Sequence, residues 1–301
     1  MTKTTNLQPA SVRARLQDLQ RRLFPNIPPN QMLLLYAQQG FLARLDASEY
    51  AEHFVLKGAL SLFVRYREAA RPTEDIDLAG HGLGQSPDQI AAAMREVCGV
   101  PFADGLQFDP QSVTVRPINA ALKYPGTAVT VRADLGSSRT VLQLDISFGN
   151  AITPEAARFT FPALLLDPAV GVSIYPLETV ITEKFAALAE IGAATTRMKD
   201  LYDLQVILGR ETFEAATVGR ALQRSFAARG TPRIGVEEVL ALDFDADDVL
   251  AGRWQQYLRR TRFAAPPFGE VMDVIRHFYG PLLLEGLAQG RWTAGQWRRE
   301  E

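Results

Sequence analysis

Cysteine is nearly absent from this sequence: Cys98 stands alone among 301 residues. A single thiol closes no internal disulfide, which fits a reducing compartment, and its place at the end of Met94-Arg95-Glu96-Val97-Cys98 reads as structural. Histidine is also scarce, at three residues, and no Cys/His spacing of a zinc site occurs. No run approaches the roughly eighteen apolar residues of a membrane span. The start Met1-Thr-Lys-Thr-Thr-Asn6 is polar and lacks the apolar core of a signal peptide. A cytoplasmic protein with no membrane partner is expected. The net charge of −2 excludes a globally basic nucleic-acid surface and leaves room only for a local one.

Lysine is the other shortage, with five against twenty-seven arginines. Lys57, Lys184 and Lys199 all fall in segments that other features single out. An ammonium meets phosphate as a compact point charge, a role a planar guanidinium does not reproduce. Chance usage is the plain alternative. With 47% apolar residues the chain can bury one sizeable core or two modest ones, and two lobes, residues 1–170 and 171–301, are expected.

The chemistry concentrates in residues 54–78. An apolar segment runs into Lys57-Gly58-Ala59, an apolar helix is expected over residues 60–66, and Thr73-Glu74-Asp75-Ile76-Asp77 follows. This reads as strand, glycine turn, helix, strand. Alternate strand residues share a face, so Asp75 and Asp77 project together and form a site for a hard cation. Gly58 lets the backbone approach a phosphate, and the N-terminus of the following helix offers free N–H groups to it. An Asp-x-Asp by itself is commonly a solvated turn; the ordered combination points to phosphoryl or nucleotidyl transfer.

Two adjoining patterns extend the reading. Strands are expected at residues 112–118, 128–135 and 141–148, as a meander. The last places Asp145 inside Val141-Leu-Gln-Leu-Asp145-Ile-Ser-Phe148, where a carboxylate needs a cation, a donor or water. A third metal ligand and a solvated strand-end residue both satisfy that need. From Pro176 onward the chain reads as almost wholly helical, with helices at residues 177–191, 196–208, 214–229, 237–262 (one or two) and 268–288, and with Trp292 and Trp297 packing back on them. Before the strands, Ser11 is expected to cap a helix over residues 12–23. A second helix is expected over residues 31–45. Ser86-Pro87 is expected to open another, reaching residue 97.

Arg71-Pro-Thr73-Glu-Asp75-Ile-Asp77, following the Gly58 turn, resembles the first motif of the AbiEii/AbiGii nucleotidyltransferase toxins. Ala59 stands where that family usually has Ser or Gly. Glu183-Lys184-Phe-Ala-Ala187 resembles the family's Lys-x-x-Ala motif, and Arg197-Met-Lys199-Asp200-Leu-Tyr-Asp203 resembles its last. The resemblance implies an α+β fold, a polymerase-beta-like mixed sheet with flanking helices followed by a mostly helical C-terminal lobe. It implies catalytic roles for Asp75, Asp77, Lys184 and Asp200. Lys57, Gly58, Ala59, Arg71, Thr73, Lys184 and Lys199 would bind the nucleoside triphosphate, and Asp75, Asp77 and Asp145 would bind magnesium. It further implies a toxin with a cognate antitoxin, adding nucleotides to an acceptor, foremost the 3′ end of tRNA. Nucleotidylation of a protein or small molecule, and a nucleotide-binding protein without turnover, are the alternatives.

Two features lie outside the motifs. Asp243-Phe-Asp245-Ala-Asp247-Asp248 begins like a calcium loop, but its sixth position is Asp248 in place of Gly and its twelfth is Trp254 in place of Glu. A helix cap is the simpler reading. Arg253, Arg259, Arg260 and Arg262 surround Trp254 and Tyr257 without an acid between them. That is either an RNA-facing patch with stacking aromatics or a solvated arginine face over core aromatics.

Overall fold

The computed structural model of the protein describes residues 8–25, 27–67, 70–118, 126–165, 169–192, 195–231, 233–241, 248–261 and 263–298. The chain forms two compact units, one from Met1–Asn150 with Ala156–Tyr175 and one from Ala151–Glu155 with Pro176–Glu301. The fold is the expected mixed α/β arrangement, with the sheet in the first unit and mostly helix in the second.

In the first unit, helices α1 (Pro9–Leu23) and α2 (Pro29–Asp46) lead into β1 (Phe54–Lys57), α3 (Gly58–Tyr66) and β2 (Asp75–Gly80). Then come α4 (Pro87–Gly99), β3 (Gln107–Ile118), β4 (Gly126–Leu135), β5 (Ser138–Phe148), β6 (Ala157–Phe161) and β7 (Val170–Ile174). The strands form one sheet in the order β3-β4-β5-β2-β1-β7-β6. β3, β4 and β5 are the expected antiparallel meander. β2 runs parallel to β5 and antiparallel to β1, and β1 runs parallel to β7.

Several boundaries differ from the sequence reading for local reasons. α1 starts at Pro9 with Gln8 before it, so Ser11 lies inside the helix and caps nothing. Proline at the first helical position lacks only an N–H that would go unpaired there anyway. α2 likewise starts at Pro29. The Ser86 cap is a full capping box, reciprocated by Gln89. β6 and β7 had not been read from the sequence at all.

One face of the sheet is buried under helices, with α2 across β5 and β7 and α4 along β3. Ile76, Leu78, Leu142 and Leu144 on that face are fully buried. α2 is enclosed on nearly all sides, so its polar residues need internal partners. Gln39 donates to Pro162 O and accepts from Leu164 N. Arg44 forms a two-pronged pair with Asp104, at 2.6 and 3.1 Å, and also donates to Gly40 O and Leu106 O. A Cβ on Gly40 would stand 2.4 Å from Leu106, so glycine there allows the close approach that this pair requires. Cys98 is buried, which pushes its thiol up to about 12 and keeps it unreactive, in keeping with a structural role.

In the second unit, α5 (Leu177–Ile191) and α6 (Met198–Arg210) are followed by β8 (Phe213–Glu214), α7 (Ala215–Arg229), α8 (Arg233–Ala241), α9 (Asp248–Thr261) and α10 (Phe268–Leu283). The chain ends in β9 (Arg291–Thr293) and β10 (Gln296–Arg298), which pair with each other and, through β9, with β8. This small sheet had not been anticipated. Trp292 and Trp297 do pack back as expected: Trp292 donates to Leu208 O and Trp297 to Phe278 O, with both rings against Phe278.

Because Arg44 and Asp104 are 4% and 0% exposed, losing one partner strands a charge in the core. Arg44→Met should destabilise the first unit by about 3–5 kcal/mol, read by urea unfolding in far-UV circular dichroism. Adding Asp104→Leu should recover much of that loss. A single variant within 1 kcal/mol of wild type would show that the pair does not secure α2.

Candidate active site

The strand alternation that buries Ile76 and Leu78 leaves Asp75 and Asp77 half-exposed on the opposite face of β2. The same alternation on β5 buries Leu144 and Ile146 and turns Asp145 outward. Parallel pairing sets Asp77 opposite Asp145 and Asp75 opposite Gln143. One oxygen from each of Asp75, Asp77 and Asp145 lies within 4.8 Å of the other two. Three hard oxygen ligands converging on one face suit magnesium or a similar divalent cation.

The glycine turn is built against this group. Gly58 has φ +65°, and a Cβ placed on it would stand 1.9 Å from Asp77 Oδ2. Glycine is therefore required twice, by the backbone angle and by the carboxylate in contact with it. α3 starts at Gly58, its preceding residue Lys57 is extended, and no side chain caps it. The first N–H groups of a helix have no intrahelical acceptor, so this end is equipped to receive an anion. Ala59 is buried in that first turn. Lys57 sits opposite Asp77 in the antiparallel β1–β2 register, and its Nζ donates to Ser147 Oγ at 2.7 Å.

Thr73 Oγ1 donates to Asp75 Oδ1 at 2.5 Å, while Gln38 Nε2, on fully buried Gln38, reaches Thr73 O at 3.4 Å. Arg71 and Thr73 line a cleft with Leu60 and Phe63. Thr73 thus holds a carboxylate in place as well as lying beside the cleft. Gln143 was not singled out from the sequence, although Val141, Gln143, Asp145 and Ser147 alternate onto one face of β5. Its Nε2 donates to Asp145 Oδ1 at 3.3 Å.

A second charged cluster lies inside the second unit. Lys184 Nζ on α5 donates to Asp200 Oδ1 and Asp203 Oδ2 on α6, both at 2.7 Å, and Arg197 Nε donates to Asp200 Oδ2. Asp200 and Asp203 are almost fully buried. Burial by itself would raise the Asp200 pKa, but Lys184 and Arg197 outweigh it and hold the carboxyl far below the usual carboxylate range. Lys199 is exposed.

The arginine patch resolves toward the second of its two readings. Trp254 is fully buried and Tyr257 nearly so, and Trp254 Nε1 donates to Pro266 O, so neither ring is open for base stacking. Arg253 donates to Thr195 O; Arg259 and Arg260 are exposed. Arg262 and the acidic residues Asp243, Asp245 and Asp247 lie outside the described residues. Among the described residues, no helix is long and apolar enough to cross a membrane.

A glycine turn at a helix start, in contact with one carboxylate of a triad on neighbouring strands of a mixed sheet, is an arrangement suited to transferring a phosphate-bearing group. The sequence profile described as nucleotidyl transferase AbiEii toxin, type IV toxin–antitoxin system, matches residues 40–274. The chain belongs to this family and is a nucleotidyltransferase. Similar solved structures include JHP933 from Helicobacter pylori, at 17% identity over 87% of this chain and 100% of that one, with a TM-score of 0.45. A second Helicobacter pylori structure is 18% identical over 84% of this chain and 96% of that one, with a TM-score of 0.43. No curated protein matches the chain.

Gly58→Ala should displace the Asp77 carboxylate and slow nucleotide transfer by roughly 100-fold, since ångström-scale misplacement has about that effect. A variant transferring at the wild-type rate would mean that the contact is immaterial to chemistry. A separate outcome concerns acid. The folded-state pKa of Asp200 is depressed, so its stabilising effect is complete above an unfolded pKa near 4 and is lost as pH falls toward the folded value. All three tryptophans, Trp254, Trp292 and Trp297, belong to the second unit, so their fluorescence reports its unfolding. Asp200→Asn should destabilise that unit at pH 7, and the gap from wild type should narrow steadily below about pH 4. A gap independent of pH would remove the ion pairs as its cause.

Proposed function

We propose that the protein uses magnesium held by Asp75, Asp77 and Asp145 to transfer a nucleotide from a nucleoside triphosphate to an acceptor. The acceptor in this reading is the 3′ end of a tRNA. The observation that carries the proposal is the convergence of three carboxylates beside the start of α3. Their donor chemistry fits the ion: oxygen ligands only, on a face that stays partly open.

The chain's own residues then have distinct tasks. The α3 N-terminus at Gly58 and Ala59 cradles phosphate through its backbone, and Lys57, Arg71 and Thr73 flank the triphosphate. Ala59 supplies no hydroxyl, so the N–H groups do this work. The acceptor hydroxyl attacks the α-phosphorus, the bond to pyrophosphate breaks, and a carboxylate of the site receives the hydroxyl proton. A divalent cation bound at the triad supplies charge neutralisation for the α-phosphate and the departing pyrophosphate. Lys184 keeps the role that the family resemblance gives it, charge neutralisation at phosphate, with Asp200 as its catalytic partner and Lys199 as a further contact. The family context adds a toxin countered by a cognate antitoxin, and the cytoplasm is the compartment in this reading.

The acceptor is supported by that resemblance and by the exposed Arg259 and Arg260, without help from stacking aromatics. Incubating purified protein with each labelled triphosphate, magnesium and total RNA tests both halves of the proposal. Label should appear on tRNA with the wild-type protein and vanish with Asp75→Ala or Asp77→Ala, each of which removes a metal ligand and several kcal/mol of transition-state stabilisation. Undiminished transfer by either variant would overturn the metal assignment. Label on protein alone would overturn the tRNA acceptor.

A further inference from the structure

Two of the three carboxylates are held by neutral donors. Asp75 receives a hydrogen bond from the Thr73 hydroxyl, within the segment that the family motif covers. Asp145 receives one from Gln143, which no motif covers. On β5 these two residues share a face, and Gln143 lies in register between Asp75 on β2 and Thr130 on β4. Asp145 itself lies in register between Asp77 and Ala128. Ala128 offers only a methyl group, so the β4 side of the carboxylate gains no donor from it. Thr130 is in turn tied to Thr114 by a 2.6 Å hydroxyl contact, which fixes the strand edge beside Gln143.

The chemical type of both donors matters. A lysine or arginine in either place would fix the carboxylate but would also cancel its charge, as Lys184 and Arg197 do around Asp200. A hydroxyl and an amide fix the orientation of Asp75 and Asp145 without themselves cancelling the charge of either. Outer donors of this kind commonly change metal affinity or activity by about 10- to 100-fold.

From this geometry we infer that Gln143 is a positioning residue: its amide holds the Asp145 carboxylate turned toward Asp75 and Asp77, so that the three bind a divalent cation as a preformed set. The inference rests on the triad being the cation site. Gln143 touches neither triphosphate nor acceptor in this role; it acts through Asp145.

The test uses the full chain and manganese as the probe, with free Mn2+ followed by its electron paramagnetic resonance signal. Gln143→Leu removes the donor. Gln143→Met, closer in length, guards against a packing failure at one site. Asp145→Asn serves as the control, and thermal unfolding without metal is recorded for all. The expected result is Mn2+ affinity about 10-fold weaker in both Gln143 variants, with slowed transfer, an unchanged KM for triphosphate at saturating metal, and metal-free melting temperatures close to wild type. Affinities within about twofold of wild type in both Gln143 variants, alongside a clear loss in Asp145→Asn, would overturn the role of Gln143 and leave the triad intact. Undiminished Mn2+ binding by Asp145→Asn would overturn the triad reading and this inference with it.

Discussion

The parallel register between β2 and β5 is the constraint on which the candidate site depends. Pairing Ile76 with Leu144 and Asp77 with Asp145 puts apolar side chains on the helix-covered face and carboxylates on the other. A one-residue slip would invert every side chain of a strand. It would drive carboxylates into a core where Leu78 and Leu144 are now fully buried, at a penalty that unpaired charges do not survive. Hydrophobic burial thus fixes the position of the polar triad. The contact between Gly58 and Asp77 follows from the same alignment, since β1 pairs with β2 directly at Lys57 and Asp77.

The two units carry charge in opposite ways. In the first, three carboxylates converge half-exposed, and two of them, Asp75 and Asp145, are steered by neutral donors, Thr73 and Gln143. In the second, two buried carboxylates are matched by Lys184 and Arg197, and the depressed pKa of Asp200 records how strongly the ionised form is favoured. The first arrangement retains charge for a ligand, whereas the second spends most of it on internal pairing. Each of these is local to its unit.

Legibility followed the range of the interaction. The Asp75–Asp77 alternation, the Ser86 cap and the helix over Leu177–Ile191 are set by neighbours a few residues away, and all three were readable. β7 pairs with β1 through Leu56 and Ile174, far apart in sequence, and nothing local in Val170–Ile174 announces that partner. The Arg44–Asp104 pair was hidden for the same reason. Asp200 and Asp203 stand three apart within the helix expected over residues 196–208, but only the packing of α6 against α5 shows that they close on Lys184. Other misses had a usable signal. Leu250, Trp254 and Tyr257 recur at helical spacing and are all buried, an apolar stripe that already favoured core over stacking. Gln143 shares the alternation of Asp145 and was passed over because a single amide in a strand matches no motif.

The central claim is that the open face of this sheet gathers a divalent cation onto three strand carboxylates. Anomalous diffraction from crystals soaked in Mn2+ with a non-hydrolysable triphosphate tests it most directly. The account predicts a peak within about 2.0–2.3 Å of oxygens from Asp75, Asp77 and Asp145, with triphosphate density running toward the start of α3. Manganese bound elsewhere, with the three carboxylates unliganded beside an ordered triphosphate, would contradict it.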